Sequence, residues 1–278
     1  MPLLRLRNVS VEFPVYGGGS RSLKKCLFAS TTQGNIARDA LDQITVCALN
    51  NVTMDIVNGD RVGVIGDNGA GKSTLLKVLA GIYHPTRGAV HASGRRSALL
   101  DITLGFNPEA TGRENIILRG MYMEIHPRDM RARVDEIVEF ADLGAYIDMP
   151  VRTYSEGMMI RLGFAISTCV PPEILLMDEW LSAGDDRFLN KAQRRMEDLL
   201  DRSSIMVLAS HSLPLLQKWC NRGVLLQKGH VAAVGDIMDV IAVYTGIPRF
   251  GRRRMASAKP SVDPVTDGAD TRSRRISL

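Results

Sequence analysis

Gly66, Gly71, Lys72 and Ser73 carry the strongest chemical signal in this chain, within the run Gly66-Asp67-Asn68-Gly69-Ala70-Gly71-Lys72-Ser73-Thr74. Their spacing fits G-x-x-x-x-G-K-[ST], a phosphate-binding loop. Glycines at these places let backbone N–H groups turn inward on a polyphosphate, and a helix starting there adds the partial positive charge of its N-terminus. Lys72 is expected to reach the β- and γ-phosphates, and the Ser73 hydroxyl to ligate Mg2+. The flanks agree. Val62 to Ile65 is a short apolar run suited to a buried strand, and Ser73 to Ala80 repeats leucine and valine at helical spacing. The stretch reads as a nucleotide site.

A second constellation is Ile174-Leu175-Leu176-Met177-Asp178-Glu179, an apolar strand ending in two carboxylates. Ligands of parallel sheets bind at such strand ends. Asp178 is expected to hold Mg2+ through its outer shell, and Glu179 to orient or deprotonate an attacking water. Alone, the pattern equally fits a solvated strand end; downstream of a phosphate loop it favours catalysis. Tyr154-Ser155-Glu156-Gly157-Met158 precedes a helix striped by Met158, Leu162, Ile166 and Cys169. Two readings stay open here. Ser155 caps that helix and nothing more, or Ser155 and the Gly157 amide face a γ-phosphate at a second helix N-terminus.

The elements that must hold these residues follow from periodicity. Leu4 to Phe13 alternates apolar and polar residues, which suggests an edge strand of an antiparallel pair. Leu49 to Val57 alternates again and leads through Asn58-Gly59-Asp60 into the phosphate-loop strand. Between them lies an insertion, residues 17–40, with a short basic helix expected around Leu23 to Ala29. Val90 to Leu100 reads as a further pair of short strands. From Thr111 to Val170 the pattern turns helical, at Arg113–Tyr122, Pro127–Ala141 and Met158–Val170, with a capping box at Thr111-Gly112-Arg113-Glu114. Strands return at 174–179, Ile205–Ala209 and Val224–Leu226, with helices at Phe188–Leu200 and Leu213–Cys220.

Composition bounds the class. With 278 residues, 45% hydrophobic and 23% charged, the chain suits one large domain or two small ones. It has no run of 18 uncharged apolar residues, the minimum for a spanning helix, and its start lacks the apolar core of a secretory leader. Cys26, Cys47, Cys169 and Cys220 form no C-x-x-C pair and read as reduced thiols of a cytoplasmic protein. The five histidines are dispersed and suggest no metal cluster. The net charge of +5 resides mainly in residues 251–278, where seven Arg or Lys face Asp263, Asp267 and Asp270. The remainder is nearly neutral, which argues against nucleic acid as a partner. That basic tail is expected to be disordered, a weak anchor to anionic lipid or a solubilising end.

The motifs, in this order, resemble ABC-type ATPases: the phosphate loop, a Ser-x-Gly signature at 155–157, Asp178-Glu179, and Ser210-His211 after the strand Ile205–Ala209. The likeness runs from about Leu4 to Tyr244. Further segments are similar to one branch, the ATP-binding subunits of bacterial polysaccharide exporters of O-antigen, capsule and teichoic-acid type. These are Gly105 to Asn115, Tyr154 to Met158 with Arg161 to Ala165, and Ala183 to Phe188.

The resemblance implies an α/β P-loop NTPase fold of ABC type. It comprises an antiparallel β subdomain and a helical subdomain inserted at about 106–171, with the ATPase domain over 1–248 and the tail over 249–278. It implies ATP and Mg2+ as cofactors. His211 would contact the γ-phosphate and hold the water, alongside Lys72 and Glu179. Asp185 would sit in the loop linking two active sites, and Glu156 stands in the signature where glycine is common. Phe13 would stack on adenine, with Tyr16 as its rival and a core role as the alternative. No glutamine occurs between Ser97 and Thr111, where the family places a phosphate sensor; Asp101 lies nearby.

With one phosphate loop and one signature, the chain is expected to work as a head-to-tail homodimer. Its further partners would be an integral membrane permease and a lipid-linked polysaccharide, and its location the cytoplasmic face of the inner membrane. The insertion, with Arg21, Lys24 and Lys25, is a candidate contact to the permease or lipid headgroups, or a plain solvated loop. The carbohydrate-binding domain that some O-antigen exporters append is not expected here. Export of a different lipid or drug, or a soluble non-transport role, are the alternatives.

Overall fold

The computed structural model describes residues 1–14, 35–38, 44–100, 102–178 and 186–247. The expected helix at 23–29 and the tail from 251 lie outside them. Leu4, Leu6, Val9 and Val11 bury one face of strand β1 (Leu3–Pro14). β1 pairs antiparallel with β3 (Ile44–Val57) on one side and β5 (Arg87–Ser93) on the other, and β2 (Asn35–Arg38) pairs with β3. The strand expected at a sheet edge is therefore interior. Alternation reports a buried face, not the number of neighbours, so periodicity could not place it.

A second sheet has the order β10-β9-β4-β8-β7-β6. Its strands are β4 (Arg61–Ile65), β6 (Arg96–Leu99), β7 (Ile174–Asp178), β8 (Ile205–Ala209), β9 (Arg222–Gln227) and β10 (His230–Asp236). All neighbours run parallel except the β9–β10 hairpin. Residues 174–177 and 205–209 are buried without interruption, as strands covered on both faces must be. The strands read as a pair at 90–100 part company: β5 joins the antiparallel sheet and β6 the parallel one. β10 was not foreseen from periodicity.

Helix α1 (Lys72–Ala80) starts directly from the phosphate loop. Its Leu75, Leu76 and Leu79 share one core with Leu4 and Leu6 of β1 and with Val62 and Val64 of β4. Between β6 and β7 the chain is helical: α2 (Gly112–Tyr122), α3 (Pro127–Arg131), α4 (Val134–Ala141) and α5 (Glu156–Ser167). The single helix expected over 127–141 is broken at Ala132-Arg133. Thr111 forms the expected capping box, its N–H donating to Glu114 while its hydroxyl accepts from the Glu114 N–H. Asn115, fully buried, donates to the carbonyls of Asn107, Ala110 and Thr111 and accepts from the Asn107 N–H, locking the loop before α2.

The opposite face of the parallel sheet carries α6 (Asp186–Arg202), α7 (Leu213–Trp219) and α8 (Ile237–Thr245). Cationic side chains tie the helical segment down through main-chain carbonyls. Arg119 donates to the Ile102 carbonyl with its guanidinium over the Phe106 ring, and Arg133 to that of Cys169. Lys191 of α6 donates to the carbonyls of Glu139 and Phe140 at the end of α4, and Arg195 to that of Thr168. Among the described residues no helix is long and apolar enough to cross a membrane.

Candidate nucleotide site

Sheet register brings the phosphate loop, Asp178 and Ser210-His211 to one edge. Val64 of β4 pairs with Ala209 of β8, and Ala209 with Asp178 of β7, so the three strands end side by side. With neighbouring strands about 4.8 Å apart, Asp178 lies roughly 10 Å across the sheet from β4. Ser210 is buried and receives the Ser212 N–H, while His211 is exposed just beyond the strand.

The loop is shaped to take an anion. Gly66 and Gly71 have φ of +157° and +105°. A Cβ at Gly66 would lie 2.4 Å from the Leu226 carbonyl oxygen, and one at Gly71 2.5 Å from that of Ala48. Neither place tolerates a side chain. Gly71 caps α1 without any side-chain hydrogen bond, and the first turn holds no acidic residue. The N–H groups there keep their capacity for a ligand, and the helix dipole favours a negative one. The Gly229 N–H donates to the Ala70 carbonyl, so the β9–β10 turn buttresses the loop. Lys72 is buried, and its Nζ donates to the carbonyls of Gly66 at 2.7 Å and Asp67 at 3.0 Å. Asn68, Gly69 and Ser73 are exposed, Thr74 half-buried and Ala70 buried.

These residues fit a nucleoside triphosphate: a bare helix N-terminus, a cradle closed to side chains, and a buried cation. Ser73 and Asp178, at neighbouring element ends, are the oxygen donors suited to Mg2+. Ser155 and Gly157 lie elsewhere, at the start of α5. They line a cleft of about 390 Å³ together with Asp142, Leu143, Tyr146, Met158 and Arg161. Ser155 Oγ accepts from the Met158 N–H at 3.3 Å, so the capping alternative left open by sequence is present in the folded chain. Glu156 occupies the first turn. Phe13 stands half-exposed at the end of β1, its ring edge-on to Tyr83 at 5.4 Å. Tyr16, Asp101, Glu179 and Asp185 lie outside the described residues.

Sequence reasoning missed Tyr244, whose hydroxyl donates to Asp67 Oδ1 at 3.2 Å. Burial and the Asp67 carboxylate raise its phenol above the usual tyrosine range. Two thiols are made poorly reactive by burial, which pushes Cys169 up to about 11 and Cys220 to about 12.

A parallel sheet with a glycine-built phosphate loop at its strand ends, joined to an antiparallel sheet and a helical insertion, defines a phosphate-loop nucleotide-binding ATPase. The chain belongs to the ABC transporter family, whose profile matches residues 49–182. It is 41% identical over 241 residues to the O-antigen export system ATP-binding protein RfbE of Yersinia enterocolitica, covering 87% of this chain and 100% of that protein. It is 44% identical over 231 residues to the O-antigen export system ATP-binding protein RfbB of Myxococcus xanthus, covering 83% of this chain. The match spans only 52% of that longer relative. Among solved structures, a dimeric post-hydrolysis state of an ATP-binding cassette bound to ADP and Pi superposes with a TM-score of 0.61 at 19% identity, over 84% of this chain and 98% of that one. The fold is that of an ABC ATPase.

Proposed function

We propose that this chain is the Mg-ATP-hydrolysing subunit of an exporter that drives a lipid-linked polysaccharide across the inner membrane. The observation that carries the reading is the match to the O-antigen export protein of Yersinia enterocolitica, over the whole of that protein and 87% of this chain.

In this reading Lys72 and the α1 N-terminus bind and orient the phosphates, while Glu179 and His211 position the water and take its proton. When bound, Mg2+ would be held by Ser73 and Asp178 and would supply neutralising positive charge. Phe13 would meet adenine and Asp185 would link the two sites. Gly157 supports a head-to-tail homodimer. A Cβ there would find only Ser155 Oγ, 4.0 Å away, so the fold of this chain does not itself require glycine. Its smallness suits the close approach of a second copy's nucleotide.

The partner would be a membrane permease, holding the ATPase at the cytoplasmic face. Leu104, Met121 and Tyr122 are exposed at 68%, 54% and 77%, with Tyr122 beside Gly105. They suit contact with an apolar helix. Export of another lipid remains the second reading, favoured if the glycan proves irrelevant.

The test is Glu179→Gln in the source organism, scored for surface polysaccharide and intracellular lipid-linked glycan. Turnover should fall by about 10²–10⁴-fold, the usual worth of a general base. The surface polymer should disappear while linked glycan accumulates inside. An unchanged surface would remove the polysaccharide.

A further inference from the structure

The two faces of β4 are used differently. Val62 and Val64 pack with Leu75 and Leu76 of α1, whereas Ile65 packs in the cluster of Leu216, Ile237 and Val240 on the other side. Gly63 belongs to that second face, where its missing Cβ would meet Ile237 Cδ1 at 2.9 Å. Gly63 pairs in register with Gly223 of β9, where a Cβ would meet Val240 Cβ at 2.7 Å. Two adjacent glycines thus flatten the sheet, and α8 seats Ile237 and Val240 upon them. Tyr244 follows Val240 by one helical turn and lies on the same stripe.

Asp67, in the loop two residues beyond the end of β4, also reaches toward this face. Its carboxylate receives the Tyr244 hydroxyl there. Its carbonyl accepts from Lys72 Nζ and from the Ala70 N–H at 3.1 Å. A carboxylate beside a helix N-terminus is itself an anion of the sort that terminus attracts. Set loose, it would compete with phosphate for the same N–H groups.

We propose that Tyr244 is a positioning residue of the nucleotide site: its hydroxyl holds the Asp67 carboxylate on the α8 face of the sheet, out of the anion cradle at α1. The pair arises from α8 sinking onto Gly63 and Gly223. The proposal rests on the phosphate loop being the ATP site.

The experiment titrates the full chain with Mg-ATP, using Tyr244→Phe, Asp67→Asn, the double variant and Lys72→Ala. Tyr244→Phe should weaken binding by roughly three- to tenfold, the range of one hydrogen bond. The double variant should regain the affinity of Asp67→Asn, because the amide carries no charge to compete. Wild-type affinity in Tyr244→Phe would overturn the proposal. So would a double variant bound more weakly than Asp67→Asn by that same factor, which would make the loss one of packing. Wild-type affinity in Lys72→Ala would instead overturn the phosphate loop as the site, whatever Tyr244 does.

Discussion

Two helix N-termini, those of α1 and α5, are built in opposite ways. At α1, Gly71 leaves the terminal N–H groups without a side-chain cap, and no acid stands in the first turn. At α5, Ser155 already fills part of that need, and Glu156 brings a negative charge. The glycines differ too. Gly66 and Gly71 are imposed by carbonyls of the same chain within 2.5 Å of a Cβ, whereas Gly157 faces open space. The first terminus is complete within one chain. The second is partly capped by its own Ser155, so under the proposed function a phosphate would have to displace that cap or approach beside it.

The largest effect should come at the first terminus. Lys72→Ala should cut ATP hydrolysis by roughly 10²–10³-fold, the typical loss on removing one preorganised charge donor. Phosphate release measures it, and a loss below tenfold would count against the site. The sharpest contrast pairs two identical replacements. Gly71→Ala forces a side chain to φ +105° against the Ala48 carbonyl and should cost about 1–3 kcal/mol of stability. Gly157→Ala should leave the melting temperature level or slightly raised, as helical glycine replaced by alanine does, yet reduce turnover of the assembled protein. Equal melting curves for both would erase the distinction. Smallest, Ser155→Ala should cost about 1 kcal/mol, the worth of a cap, read by urea denaturation while ATP affinity of the single chain holds.

The same contrast governs what could be read in advance. The phosphate loop, β4, α1 and β7 were legible because their chemistry demands fixed residue types at short spacing. The capping box at Thr111 was legible for the same reason. The interior position of β1 was not, since its second neighbour β5 joins it through long-range pairing. The parting of β5 and β6 into separate sheets is likewise a tertiary fact. So is the Tyr244–Asp67 bond, which spans 177 positions. Its only local trace is an apolar stripe through Ile237 and Val240, which looks like any buried helix. The separate cleft of Ser155 and Gly157 could not be inferred from motif order, which carries no distances.

The carbonyl clamps on the helical segment bear on acid tolerance. On the antiparallel sheet, Arg7 and Arg5 bond the Asp55 carboxylate, and Arg7 does most to hold its pKa below the ordinary value. That contribution is present at neutral pH and fades as pH falls through the lowered value, because protonation removes the charge. Arg119, Arg133 and Lys191 grip main-chain oxygens instead. Those acceptors have no proton to gain in this range. Acid below the ordinary aspartate range should therefore weaken the β1–β3 tie while these carbonyl contacts persist.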